Sequence, residues 1–342
     1  MEPWSPITAL LGVLIVAITV IDHLKTVITV SGGGAVTSRV NAWVWRLALR
    51  SAGRERHPPG WLSLVGPGLA MLTLSLWLLG LWVGWTLIFS AGEQVILESK
   101  SGLPASFVER VYYAGYTLTT LGPGDYSPQG GLWLIVTVLA TVNGLFLFTM
   151  GITYIVPIIT AAAQQRQVAT LISALGDDPA DLLTRSWHDG GFAALEQHLV
   201  SLTPSIAGVR QFHLAYPILH FFHANRADAS LPVQIGVLDE ALSVLGYAVC
   251  EDARPAPQAL APLRAQIDGY LETLTSAKID VHGDAPPPPM LQRCVEAGIP
   301  THDQAHFHAR LQQDERRRAA LRSLVRSDGW QWEQVSRPAV RS

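Results

Sequence analysis

The chain has 342 residues, a formal net charge of −3, only 15% charged residues and 11 tryptophans. Its length leaves room for about two domains, and a mean hydropathy of +0.26 points to a membrane protein. Two cysteines, Cys250 and Cys294, exclude a disulfide framework, and the small net charge with no basic stripe argues against a nucleic-acid partner.

An apolar run from Ile7 to Val30 is long enough for a spanning helix, since about 20 residues cross a bilayer core. Asp22, His23 and Lys25 interrupt its last third. Asp22 and Lys25 stand at i, i+3, where they can pair, and the simplest expectation is that both sit at the interface and reach out to water. Gly32-Gly33-Gly34 ends this helix. Residues 36–52 then read as an amphipathic helix, with Val36, Val40, Val44 and Leu47 on one face and Arg39, Arg46 and Arg50 on another. Trp43 and Trp45 suit the headgroup level. Arg54, Arg56 and His57 continue the basic run, so the positive-inside rule makes this loop cytoplasmic and puts the N-terminus outside.

The second span, Trp61 to Ser90, holds no charge, and Gly92 to Gly102 forms an extracellular turret. Pro104 is expected at the first position of a helix over 105–119, which enters the membrane and is too short to cross it. A third uncharged span over 131–162 returns the chain to the cytoplasm. Asn143 and Gly144, in its middle, are candidates for a hinge or for cavity lining, and Pro157 for a kink.

Between the short helix and the third span runs Thr119-Thr120-Leu121-Gly122-Pro123-Gly124-Asp125. Glycines at i, i+2 let alternate residues take φ > 0, so that successive carbonyls point the same way. A row of carbonyls repeated around an axis can replace the water shell of a cation. Thr120 to Asp125, with Thr119 before them, Tyr126-Ser127-Pro128 after them and the aromatic pair Tyr112-Tyr113 upstream, resemble the pore loop of potassium channels, whose filter reads Thr-Val-Gly-Tyr-Gly-Asp. Pro123 replaces the tyrosine and Leu121 the valine. The resemblance covers roughly residues 60 to 162. It implies a homotetramer in which the carbonyls of Thr120, Leu121, Gly122 and Pro123, with the Thr120 hydroxyl, line a single-file path for potassium. Tyr112, Tyr113 and Tyr116 would support the filter, and Asp125 would stand at its mouth. With no tyrosine to fasten, exclusion of sodium is left open.

After Gln164 the sequence turns polar, with helices expected over 178–187, 191–203, 205–224, 231–249, 257–277 and 302–327, the last capped by Thr301. Pro286 to Pro289 reads as a stiff spacer. His213, His220 and His223 on the predicted helix 205–224 are metal candidates, as are His302, His306 and His308, although an aromatic packing face, with Phe212, Phe221 and Phe222 alongside, is the simpler expectation for the first group. Arg316, Arg317, Arg318, Arg322 and Arg326 read as a solvated helix end. No Rossmann fingerprint, His-Glu-x-x-His motif or nucleophile setting is present, so neither an enzyme nor a bound cofactor is expected. The whole reads as an all-α membrane protein. It comprises an N-terminal part (1–58), a pore domain (59–163) and a cytoplasmic helical domain (164–342) that regulates the pore through an unidentified ligand or partner. A non-conducting scaffold anchored in a cell membrane is the alternative.

Overall fold

The computed structural model describes residues 6–29, 33–53, 58–276 and 283–336; the predicted basic run Arg54, Arg56 and His57 lies outside them. Among the described residues, three helical stretches are long and apolar enough to cross a membrane: Pro6–Ile28, Gly60–Phe89 and Gly131–Ser173. Contacts divide the chain into two units, one made of residues up to Thr29, Gly33–Trp43 and Gly68–Pro157, the other of Val44–Pro67 and Ile158 onward.

In the first unit, α1 (Pro6–Ile28) runs antiparallel to α3 (Val65–Phe89). The two approach closely through small residues, since a Cβ on Gly12 would meet the Gly84 carbonyl at 2.6 Å and one on Gly80 would meet Thr19 Oγ1 at 2.5 Å. Small residues are what permit such approach between membrane helices. Asp22 does not pair with Lys25 or reach water, as the sequence led us to expect; it is buried while Lys25 is exposed. Its carboxylate accepts from Val36 N at 2.7 Å, from Thr37 N and the Thr37 hydroxyl, and from Trp77 Nε1 at 3.1 Å. α2 (Ala35–Ala52) has no acid in its first turn, so α1 supplies the anion that its exposed N–H groups need.

β1 (Ile96–Glu98) pairs antiparallel with β2 (Tyr126–Pro128), a small hairpin-like sheet that periodicity did not reveal. Between them α4 (Phe107–Leu118) begins with a capping box, Ser106 to Glu109. Pro104 is therefore not its first residue; it bridges to Leu97 instead. α5 (Gly131–Ser173) is a single 43-residue helix passing through Pro157. It extends beyond the predicted 131–162 because Ala161 to Ser173 contain no glycine or proline to stop it.

In the second unit, the end of α5 packs with α6 (Pro179–Ser186), α7 (Ala193–Ala215), α8 (Leu231–Tyr247), α9 (Pro257–Ser276), α10 (Gln292–Glu296), α11 (Gln304–Leu311), α12 (Glu315–Ser327) and α13 (Glu333–Ser336) around one apolar core. α8 is buried along almost its whole length. α7 runs through the predicted break at Thr203-Pro204. Pro204 removes one hydrogen bond, while Leu199, Leu202, Ile206 and Val209 stay buried on either side of it. It ends at Ala215 because Pro217 pushes Tyr216 out of the helical region, to φ −128° and ψ 81°. The last predicted helix is split at Gln312–Asp314, and Asp303 rather than Thr301 caps α11. Trp45, expected among headgroups, is 3% exposed; its Nε1 donates to the Ser327 carbonyl at 3.0 Å and its ring lies against Phe221.

Candidate functional site

α4 leads into the candidate filter stretch, Thr119 to Asp125. Its amphipathic pattern buries Tyr113, Ala114, Tyr116, Thr117 and Leu118. It stops in a Schellman turn: Thr120 N donates to the Thr117 carbonyl at 3.2 Å and Leu121 N to the Tyr116 carbonyl at 2.9 Å. Glycine usually fills the left-handed position of this turn, and here Thr120 does so at φ 59°. A β-branched residue rarely adopts that conformation, so the strain is held by the two hydrogen bonds.

From Thr120 onward the backbone alternates. Thr120, Gly122 and Gly124 have φ of 59°, 53° and 81°, and Leu121 and Pro123 between them do not take positive φ. Positive φ at alternate residues is the feature that permits successive carbonyls to turn to one side. All residues from Thr119 to Asp125 are exposed in the single chain. The Thr119 hydroxyl turns back onto the Gly115 carbonyl at 3.0 Å.

The segment after the filter is tied down on two sides. Tyr116 Oη donates to the Tyr126 carbonyl at 2.9 Å, and Ser99 N to the Asp125 carbonyl at 2.8 Å. Tyr113 hydrogen-bonds Thr137 Oγ1 at 2.7 Å and meets Phe89 edge-on, fixing α4 to α5 and α3. Tyr112 is half-exposed and touches Tyr116 and Tyr126 edge-on. The three tyrosines thus form one cluster beside the filter stretch, and Tyr116 carries its direct bond.

Arg110, in the first turns of α4, is fully buried. Its guanidinium donates to the carbonyls of Ala105 (2.9 Å), Phe89 (2.6 Å), Gly92 (2.7 Å) and Glu93 (2.5 Å). One side chain therefore gathers the end of α3, the loop before β1 and the start of α4. Gly144 lies where α4 ends: a Cβ there would overlap the Leu118 carbonyl. Asn143 beside it is half-buried, and Pro157 is interior to α5.

The first three histidines do not share one helical face, although His213 and His220 pack among rings, against Tyr270 and Phe221. His213 closes α7, whereas His220 and His223 lie beyond the break at Pro217. His213 and His220, with ring centroids 6.1 Å apart, line a small cavity with Gln165, Ser230 and Tyr270. Burial holds the His213 imidazole down to about 4 and, with His213 nearby, His220 down to about 3. His223 Nδ1 is 2.7 Å from the Asp328 carbonyl. His302 stacks near His306, while His308 pairs with Gln304. Among the described residues no three His, Cys, Asp or Glu side chains gather as a metal site requires. The arginine run is solvated only in part: Arg316 and Arg326 are exposed, whereas Arg318 is 3% exposed and bound to Glu240, and Arg317 pairs with Asp314.

The ion channel family matches residues 72–161. The "Uncharacterized membrane protein YdjJ" of Bacillus subtilis (strain 168) is 32% identical over 322 residues, a stretch covering 94% of this chain and 94% of that protein. No solved structure matches the chain.

Proposed function

This chain belongs to the family of the Bacillus subtilis membrane protein YdjJ and carries an ion-channel domain at residues 72–161, and we propose that four copies assemble into a cation channel selective for potassium over sodium to a reduced degree. The observation that carries this reading is the alternating backbone at Thr120, Gly122 and Gly124, exposed along its length. One chain supplies one wall of carbonyls, and only assembly around an axis surrounds an ion. The carbonyls of Thr120, Leu121, Gly122 and Pro123 and the Thr120 hydroxyl then form the path, with Asp125 at its mouth. In this reading the pore lies in the cell (inner) membrane with the N-terminus outside and the helical domain in the cytoplasm, where it regulates opening near Asn143, Gly144 and Pro157.

Pro123 is the reason for reduced discrimination. Its ring has no hydroxyl to fasten to the aromatic cluster and its nitrogen has no proton to donate. The test is the reversal potential of the purified protein in planar bilayers under opposed potassium and sodium gradients, with and without Pro123→Tyr. A wild-type reversal between zero and the potassium potential, moving toward potassium in the variant, is expected. Absence of current from a folded tetramer under every condition tried refutes the channel reading.

A further inference from the structure

α8 carries an acidic pair, Asp239-Glu240, in the core of the helical domain, with exposures of 0% and 2%. Glu240 has a good partner: Arg318 Nε donates to its Oε1 at 2.8 Å, and Arg318 Nη2 donates to the Pro287 carbonyl at 2.9 Å. Asp239 does not. Its nearest cation is Arg317 Nε at 3.5 Å, and among the described residues neither carboxylate oxygen accepts a hydrogen bond. The Arg317 amino groups donate elsewhere, to Asp314 and, at 3.3 Å, to Asp268. Asp314 is further claimed by Arg264 Nη1 at 3.0 Å and by the Tyr247 hydroxyl at 2.9 Å. Beside Asp268 on α9 stands Glu272, which adds negative charge.

A buried carboxylate with no donor is costly as an anion and far less so as a neutral acid. We propose that Asp239 and Glu240 form a proton-binding site of the helical domain, and that the packing of α12 on α8 seen here is its proton-bound form. Burial pushes the Asp239 carboxyl up to about 6 and the Glu240 carboxyl up to about 7, against the pull of Arg264 and Arg318. As chain neighbours they titrate as a pair.

The sign follows from which form holds the proton more tightly. In the packed form the acids keep a proton to near neutrality; in a form where water reaches them they would release it near their ordinary value of about 4. Acid therefore favours the packed form. The packed form loses its advantage as the pH rises from about 4 to about 6 to 7, by up to about tenfold per pH unit for each proton, and changes no further above that. The element set free is α12, whose first turn bears Arg317 and Arg318. Its last residue, Ser327, accepts from Trp45 of α2, so a change in the seat of α12 reaches the helix that leads toward the spans. Proton binding at this pair is independent of conduction by the filter.

Two readouts on the full-length protein in lipid nanodiscs test the site. Infrared difference spectra between about pH 5.5 and about pH 8.5, on either side of the titration, should contain a carboxylic-acid carbonyl band in the wild type that Asp239→Asn/Glu240→Gln lacks. Hydrogen exchange between about pH 4.5 and about pH 7, corrected for the intrinsic effect of pH, should show protection of α12 amides falling by up to about tenfold per pH unit in the wild type and staying flat in the double variant. Should the double variant not fold, Asp239→Asn alone, which removes one of the two titrating charges at nearly constant shape, should weaken the band and lessen the pH dependence of α12 protection. A wild type without that band, or a variant whose α12 loses protection with pH as the wild type does, overturns the proposal.

Discussion

Gly144→Ala separates two roles for one residue, close packing and hinge. A Cβ at this position would overlap the Leu118 carbonyl and lie 2.7 Å from the Leu118 carbonyl carbon. These are backbone atoms, so no side-chain rotation relieves the clash and either α4 or α5 must shift. Overpacking of this kind costs about 1–3 kcal/mol, whereas the better helix propensity of alanine returns at most about 1 kcal/mol. The net expectation is a loss of about 1–2 kcal/mol in each subunit. Gly151 is the control on the same helix: a Cβ there would meet only Leu74 Cδ2, at 3.0 Å, the end of a side chain that can turn away. Gly151→Ala should therefore be neutral or stabilising. Thermal unfolding of the purified protein in detergent reads the difference. Because α4 ends in the filter stretch, a shift of α4 should also move the reversal potential in Gly144→Ala and not in Gly151→Ala. Equal stability of the two variants, with Gly144→Ala altering only the kinetics of opening, would refute the packing account and leave the hinge.

Two further predictions concern the helical domain. At about pH 8.5, where Glu240 is ionised, Arg318→Met strands its carboxylate in the core and should cost about 3–5 kcal/mol, while Arg318→Met/Glu240→Leu should recover most of it, because removing both charges removes the desolvation penalty as well; a double-mutant cycle in denaturant reads this. For His213, burial holds the imidazole down to about 4. Between its ordinary value near 6.5 and that value, the unfolded chain binds a proton that the folded chain refuses, so stability falls as the pH drops. His213→Gln removes this contribution, and between about pH 7 and about pH 5 the variant should lose roughly 2 kcal/mol less stability than the wild type.

What the sequence made legible was local. Gly122 and Gly124 announce their backbone by lacking a Cβ, and three long apolar runs announce helices; both stand in the structure. Thr120 at positive φ was not legible, because a threonine does not ask for that conformation. The Schellman turn at the end of α4 imposes it. Three polar anchors escaped for a different reason. Asp22 reaches 14 residues ahead to α2, Arg110 21 residues back to Phe89, and Arg318 78 residues back to Glu240. Charge and periodicity mark such residues as polar but say nothing about a partner so far along the chain. Other misses had signals in plain view. Ser106-Phe107-Val108-Glu109 spells a capping box, and Pro217 forbids the helix that would have put His213, His220 and His223 on one face.

Pro123 takes on a different meaning once its neighbours are fixed. Leu121 N is held by the Tyr116 carbonyl, and the Asp125 and Tyr126 carbonyls are held by Ser99 N and Tyr116 Oη. Among the described residues no backbone hydrogen bond involves Gly122, Pro123 or Gly124, the three residues between these anchors. Two of the three are glycines, the residues with the most freedom to lose. The pyrrolidine ring removes one rotation from the middle of that gap and so lowers the entropy that ordering it would cost. A tyrosine hydroxyl braces a filter from the side, by a bond to its surroundings; proline stiffens it along the chain, with no bond at all. In the channel reading proposed above, such a filter would keep its carbonyl direction while remaining free to move sideways. Sideways freedom is what would weaken discrimination between ions of different radius if fit decides selectivity, and would matter less if carbonyl field strength does. Restoring tyrosine at this one position therefore bears on both the identity of the permeant ion and the origin of the selectivity.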